Sequence, residues 1–248
     1  MVTRRGFLAI ATGAAATGVG AAGLVQGTRR GDSLLRVRPR SATESIEPGQ
    51  YPLQLGGDRD GLLIVPRQYR STTAAPLAVM LHGAGGQARR FSTLLTIADG
   101  FGVLLLLPES RGRTWDAIRG AFGPDVEFID RALEATFRRC NVDTRKLAIG
   151  GFSDGATYGL SLGIDNGGLF THVMAFSPGF TATRRPQGRP RIFISHGRSD
   201  TILPIDATSR RIVPELEDAG YGVTYKEFDG PHAVPEGIAE DAFKWFLR

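Results

Sequence analysis

The residues with the clearest chemical potential are 151–155, Gly-Phe-Ser-Asp-Gly, which fit the pattern Gly-x-Ser-x-Gly. In this pattern a sharp turn between a strand and a helix holds a serine hydroxyl clear of the sheet, and bulkier residues than glycine would collide across the bend. An apolar run, 146–150, precedes the motif and a helix-like run, 156–160, follows it. The motif alone is unspecific, but this strand-turn-helix setting predicts that Ser153 is a nucleophile.

A serine hydroxyl needs a neighbouring base, and that base needs an acid that fixes its tautomer. In folds built around this turn the chain order is serine, acid, histidine. His232 is the candidate base because it lies in a short loop before the last helix-like run. The other histidines are placed less well, since His82 precedes the serine, His172 begins a buried run and His196 adjoins the acid's loop.

The candidate acid is Asp200, which follows an apolar run that ends near residue 195. Catalytic groups of open α/β sheets collect at the carboxyl ends of strands, and this favours Asp200. Asp229 is the rival acid, but it lies only three residues before His232 and is expected to shape that loop.

Two backbone N–H groups are expected to stabilise an oxyanion. One is that of Asp154, at the start of the helix after Ser153, and the other is that of Ala84, in the glycine-rich turn 82–86. We expect His82 to be a structural hydrogen-bonding residue of this turn.

Short apolar runs alternate with helical patterns from residue 51 onward, which predicts an α/β fold with a mostly parallel sheet and helices on both faces. The predicted strands are 62–66, 77–81, 103–107, 147–150, 172–176, 191–195 and 223–228. The predicted helices are 125–140, 155–163, 206–219 and 235–247. Only a short, proline-containing stretch separates the strands at 172 and 191, so no cap domain is expected and the site should be an open cleft. Its candidate lining residues are aromatic: Trp115, Phe122, Phe152 and Tyr158.

The N-terminal residues 1–28 contain Arg4-Arg5 followed by an uncharged, Ala- and Gly-rich stretch from residue 6 to 28. This arrangement is typical of a twin-arginine export signal and predicts a periplasmic or extracellular protein that uses the twin-arginine machinery. The alternative is an uncleaved membrane anchor. Residues 29–50 are expected to be an extended, mobile lead-in, and residues 51–248 the catalytic domain.

Composition sets further bounds. With 248 residues, 42% of them hydrophobic, the chain can bury one sizeable core. The net charge of +5 comes from basic residues interspersed with acidic ones, which argues against nucleic acid as a partner. The single cysteine, Cys140, excludes an intramolecular disulfide and a cysteine-based metal site, and is expected to be buried.

A family resemblance is carried first by the run 110–179, which contains Ser-Arg-Gly-Arg-Thr-Trp-Asp, Gly-Pro-Asp-Val-Glu-Phe-Ile-Asp and the serine motif. Two later motifs follow in order, His196-Gly197-x-x-Asp200-x-x-Leu203-Pro204 and Pro231-His232-x-Val234-Pro235. Together they resemble the phospholipase/carboxylesterase group of α/β-hydrolases, relatives of acyl-protein thioesterases, feruloyl esterases and polyhydroxybutyrate depolymerases. Many members have Gly-His where this chain has Pro231-His232.

The resemblance implies a serine hydrolase that cleaves carboxylic esters or thioesters through an acyl-enzyme on Ser153, with no metal or organic cofactor. A small-molecule or polymeric ester, including a lysophospholipid, a feruloyl ester or a polyester, is the implied substrate. The alternative from another class is a non-catalytic binding protein with the same fold.

Overall fold

A computed structural model describes residues 31–248 of the chain, and the predicted export segment 1–28 lies outside the described residues. The described part is built around one eight-stranded sheet. Its strands are β1 (Gly49–Pro52), β2 (Gly61–Val65), β3 (Ala75–Leu81), β4 (Leu104–Pro108), β5 (Val142–Phe152), β6 (His172–Phe176), β7 (Arg191–Gly197) and β8 (Val223–Phe228).

The strand order in space is β1-β2-β4-β3-β5-β6-β7-β8. β1 pairs antiparallel with β2, and β2 antiparallel with β4, whereas all other neighbours are parallel. The order reverses around β3, so the loops after β3 and β5 leave the sheet side by side. A crevice at such a reversal, outside the carboxyl ends of the strands, is where ligands bind in open α/β sheets.

Helices cover both faces of the sheet because the strands bury side chains on both sides. The helices of the described residues are α1 (Ser92–Phe101), α2 (Pro124–Arg139), α3 (Asp154–Asp165), α4 (Ser209–Asp218) and α5 (Glu236–Leu247). One hydrophobic cluster joins α2, α3 and α4 to one face, and a second joins α1 and α5 to the other. Successive side chains of β3 point to opposite faces of the sheet. Leu77 and Val79 therefore belong to the first cluster, and Ala78 and Met80 belong to the second.

The predicted fold class is confirmed, and each of the seven predicted strands overlaps an observed one. Two elements were missed. β1 has the sequence Gly-Gln-Tyr-Pro, whose glycine and proline are unfavourable in strands, and it forms only at the edge of the sheet. α1 begins without a capping hydrogen bond from a side chain, so it lacks the usual sequence signal of a helix start.

The lead-in forms no helix or strand over residues 31–48, and it is bound to the domain. Ser33 Oγ donates to the buried Asp165 carboxylate, and the side-chain oxygen of Asn166 accepts from the Leu35 N–H at 2.8 Å. Leu35 and Ile46 are buried in the first hydrophobic cluster. These contacts fix the segment along the helical face formed by α2 and α3. No helix among residues 31–248 is long and apolar enough to span a membrane.

Candidate active site

Ser153 lies in the turn between β5 and α3, where the backbone has a φ of 58°. A non-glycine residue in this region is strained, and such strain is typical of functional turns. The flanking glycines are required because a Cβ at Gly151 or Gly155 would clash with the carbonyl oxygen of Leu81. The turn therefore presents the Ser153 hydroxyl at the carboxyl end of the sheet, as the motif predicts.

His232 connects Ser153 to Asp200 through two hydrogen bonds. Its Nε2 lies 2.9 Å from Ser153 Oγ, and its Nδ1 lies 2.6 Å from an Asp200 carboxylate oxygen. A single tautomer satisfies both contacts, with Nδ1–H donating to Asp200 and Nε2 accepting the serine proton. The three residues come from separate loops after β5, β7 and β8, and this arrangement prepares the imidazole to act as a base.

The Asp200 carboxylate is fully buried and has four hydrogen-bond donors around it. The N–H groups of Ile202 and Leu203 donate to one oxygen at 2.9 and 2.8 Å, while His232 and His196 Nε2 approach the other. Burial raises the pKa of Asp200, but the hydrogen bonds from Leu203, His232 and Ile202 outweigh it, and the pKa lies below its ordinary value. The carboxylate therefore stays ionised beside His232 at neutral pH.

The rival acid, Asp229, is not part of this arrangement. Its side chain is 88% exposed and its carboxylate forms an ion pair with Arg198 at 2.7 Å. Of the two acids considered from sequence, the structure brings only Asp200 into contact with His232.

The two expected oxyanion donors lie on either side of Ser153. The Asp154 N–H is in the first turn of α3, where backbone N–H groups have no acceptor within the helix and the helix dipole is positive. The Ala84 N–H has no hydrogen-bond acceptor among the described residues. The glycine-rich turn approaches the nucleophile closely, since a Cβ built on Gly83 would lie 3.3 Å from Ser153 Cβ.

Residues 110–116 hold the glycine-rich turn 82–86 in place. The Arg113 carbonyl accepts from the Gly85 N–H at 2.7 Å, and Trp115 Nε1 donates to the His82 carbonyl at 2.8 Å. The Thr114 hydroxyl donates to the Asp154 carboxylate. One segment thus contacts Asp154 and two residues of the turn that contains Ala84.

Comparisons with known proteins find esterases among the proteins that this chain resembles. No family model matches the chain. A curated protein of Nocardia uniformis subsp. tsuyamanensis, named "Putative esterase NocK", is 30% identical over 146 residues, which cover 54% of this chain and 42% of NocK. The match therefore spans less than half the length of NocK.

Solved structures match over most of the chain. A phospholipase/carboxylesterase from Dyadobacter fermentans superposes with a TM-score of 0.56 at 20% identity, covering 71% of this chain and 91% of its own. The S-formylglutathione hydrolase FrmB from Staphylococcus aureus superposes with a TM-score of 0.66 at 13% identity, covering 86% and 100%. The chain has the α/β-hydrolase fold. Its structural neighbours include esterases of the phospholipase/carboxylesterase group.

Three of the four aromatic residues expected to line the cleft of this α/β-hydrolase are core residues, so that expectation was wrong for them. Trp115 is fully buried, Tyr158 and Phe122 are at most 2% exposed, and the three rings pack together. Trp115 and Phe122 come from the segment before α2 and Tyr158 comes from α3, so no local pattern shows this burial. Phe152 alone of the four is partly exposed, and its ring centroid lies 4.5 Å from that of His232.

The remaining histidines of the α/β-hydrolase domain have structural partners. His82 Nδ1 lies 2.7 Å from the Gly83 carbonyl and its Nε2 accepts from the Ser110 N–H, while burial lowers its pKa. These bonds fit the structural role expected for His82. His172 is buried at the start of β6.

His196, which the sequence placed only beside the loop of the acid, contacts Asp200 itself. It is fully buried, its Nδ1 lies 2.7 Å from Ser209 Oγ, and its Nε2 lies 2.8 Å from the Leu203 carbonyl and 3.1 Å from Asp200. The motif His196-Gly197-x-x-Asp200 places the two residues close in sequence, but it does not show that their side chains meet.

Neither a thiol nor a metal cluster belongs to the described site. Cys140 is buried and burial raises the pKa of its thiol to about 12, which makes it unreactive. Within residues 31–248, no group of three His, Cys, Asp or Glu side chains is placed to hold a metal ion.

Proposed function

We propose that the protein is a serine hydrolase that cleaves carboxylic esters, and thioesters by the same chemistry, through an acyl-enzyme on Ser153. The observation that supports this most strongly is the continuous hydrogen-bonded line from Ser153 through His232 to Asp200. The likeness to NocK and the esterase neighbours supports the same chemistry.

In the first half-reaction, His232 Nε2 takes the proton of Ser153 as Oγ attacks the acyl carbon. The negative charge that develops on the carbonyl oxygen is stabilised by the N–H groups of Ala84 and Asp154. His232 then donates the proton to the leaving alcohol or thiol, and the acyl group remains on Ser153. Asp200 stays ionised and stabilises the imidazolium.

In the second half-reaction, water replaces the alcohol. His232 removes a proton from the water as its oxygen attacks the acyl carbon, and the same proton then returns to Ser153 Oγ when the acid is released. All proton transfers pass through one nitrogen atom, Nε2 of His232, so no further acid or base is needed.

Hydrolysis of p-nitrophenyl acetate tests the proposal, with Ser153→Ala as the decisive variant and Ser71→Ala, an exposed serine far from the site, as the matched control. Wild type and the control should turn over the ester at equal rates, while Ser153→Ala should lose about 10⁴-fold or more in kcat. Equal turnover by Ser153→Ala would refute the assignment. An acyl thioester and a feruloyl ester assayed beside it would separate the ester classes.

We also propose that the protein is exported by the twin-arginine route and acts in the periplasm or outside the cell. The proposal rests on the sequence of residues 1–28, with Arg4-Arg5 before a weakly apolar stretch.

A further inference from the structure

Two cavities of about 210 Å³ each lie near the glycine-rich turn 82–86. The first is bounded by the turn 82–86 together with Phe91 and Phe152. The second continues past the same two phenylalanines to Leu94, Phe176, Val234 and Ala239. Because both cavities share Phe91 and Phe152, they form neighbouring parts of one groove, here called the acyl groove.

The acyl groove begins next to the reacting atoms. Phe152 directly precedes Ser153, and the turn that bounds the first cavity carries the Ala84 N–H. The turn approaches Ser153 closely at Gly83, where an added Cβ would lie only 3.3 Å from Ser153 Cβ. A group attached to the acyl carbon on Ser153 therefore has the entrance of the groove beside it.

The walls of the acyl groove are mostly apolar, with Thr93, His82 and Gln87 as the polar side chains among them. Beyond Phe152 the groove passes between α1 and α5, and its inner end is formed by side chains of the second hydrophobic cluster. Among the described side chains, no Asp, Glu, Lys or Arg lines either cavity. Such walls favour a hydrocarbon, since each buried methylene contributes about 0.8 kcal/mol, a factor of about four in an equilibrium or rate constant.

We propose that the acyl groove binds an unbranched aliphatic acyl chain longer than acetyl, because its two parts, of about 210 Å³ each, are lined mostly by apolar side chains. This inference rests on the proposed function. The groove takes the acyl part and not the alcohol, because it is bounded by the turn that holds the carbonyl oxygen. The leaving oxygen must instead face His232 Nε2. The His232 ring packs against the Phe152 ring, but His232 and Asp200 themselves line neither cavity.

A series of p-nitrophenyl esters from acetate to dodecanoate measures this preference. For the wild type, kcat/KM should rise about fourfold per added methylene up to the capacity of the groove and then level off or fall. Acetate esters of ethanol, butanol and octanol, followed by acid release, should show no comparable rise.

Thr93→Trp places bulk in the acyl groove from an exposed position on α1, so folding should be retained. It should lower kcat/KM for octanoate by about tenfold or more and leave acetate within about twofold. The matched control is Thr183→Trp, which fills an unrelated cavity beside Arg189 and Leu216 and should leave the octanoate-to-acetate ratio unchanged. A second variant, Ala239→Leu at the inner end, should shorten the preferred chain.

Three results would overturn the acyl groove while leaving the proposed function intact. They are a flat acyl series, a chain-length preference that appears only on the alcohol, and an equal octanoate-to-acetate ratio for Thr93→Trp and Thr183→Trp. By contrast, absence of any Ser153-dependent turnover of p-nitrophenyl acetate would overturn the proposed function and the acyl groove together.

Discussion

Asp200→Asn changes the group that holds His232 while keeping its size and shape. The carboxylate accepts the N–H groups of Ile202 and Leu203 on one oxygen and faces His232 Nδ1 with the other. In the variant, the amide oxygen is retained by the two backbone N–H groups, so the NH₂ group faces His232. Nδ1 must then act as an acceptor, and the proton moves to Nε2.

That tautomer cannot accept the proton of Ser153. The expected loss in kcat/KM is about 10⁴-fold, equivalent to about 5 kcal/mol of transition-state stabilisation. The fully buried NH₂ group also faces the Nε2–H of His196, so a modest loss of stability is expected beside the loss of activity.

The assay is kcat/KM for p-nitrophenyl acetate, with thermal unfolding measured in parallel to show that the variant is folded. Asp229→Asn is the matched control, because it removes only an exposed ion pair with Arg198, worth about 1 kcal/mol at most. Its activity should stay within about threefold of wild type. Activity of Asp200→Asn within tenfold of wild type, or a larger loss in Asp229→Asn, would refute the reasoning.

Three further predictions concern stability and export. Burial lowers the pKa of His172 to about 4 in the folded protein, whereas the pKa in the unfolded chain is about 6.5. As pH falls from about 6.5 to 4, the unfolded chain binds a proton at His172 that the folded protein does not, and the free energy of unfolding therefore decreases. His172→Phe should remove this loss. Denaturant unfolding should show that the free energy of unfolding of the variant, relative to wild type, is about 3 kcal/mol higher at pH 4 than at pH 7. The same difference between variant and wild type at both pH values would contradict this. Ser33→Ala removes a donor to the buried carboxylate of Asp165 and should cost about 1.5–3 kcal/mol in urea unfolding, whereas Ser41→Ala, an exposed change in the same segment, should cost almost nothing; equal midpoints would show that the lead-in does not stabilise the domain. Replacing Arg4 and Arg5 with lysine keeps their charge but should abolish export, measured as activity in periplasmic and cytoplasmic fractions, and unchanged export would favour an ordinary signal or an anchor.

The sequence predicted well what depends on local pattern and chain order. β6 is a buried parallel strand with a largely apolar sequence, and it was predicted with its observed bounds. The half-buried edge strand β8 was also predicted with its observed bounds. The positions of Ser153, Asp200 and His232 at the ends of β5, β7 and β8 follow from the serine motif and from the order of strand ends.

What the sequence could not predict depends on distant packing. Trp115 and Tyr158 are in segments more than forty residues apart, and their mutual burial is created only when α3 packs against the segment before α2. The partnership of His196 with Asp200 requires the loop after β7 to fold back, which its sequence does not show.

The most direct test of the account is covalent labelling by a fluorophosphonate probe, because only an activated serine attacks such a probe at neutral pH. The wild type should gain the mass of one probe molecule, and peptide mapping should place the probe on Ser153. Ser153→Ala should remain unlabelled and should unfold at the same temperature as the wild type. Labelling that persists in Ser153→Ala, or that maps to another serine such as Ser110, Ser177 or Ser195, would contradict the assignment of Ser153 as the nucleophile.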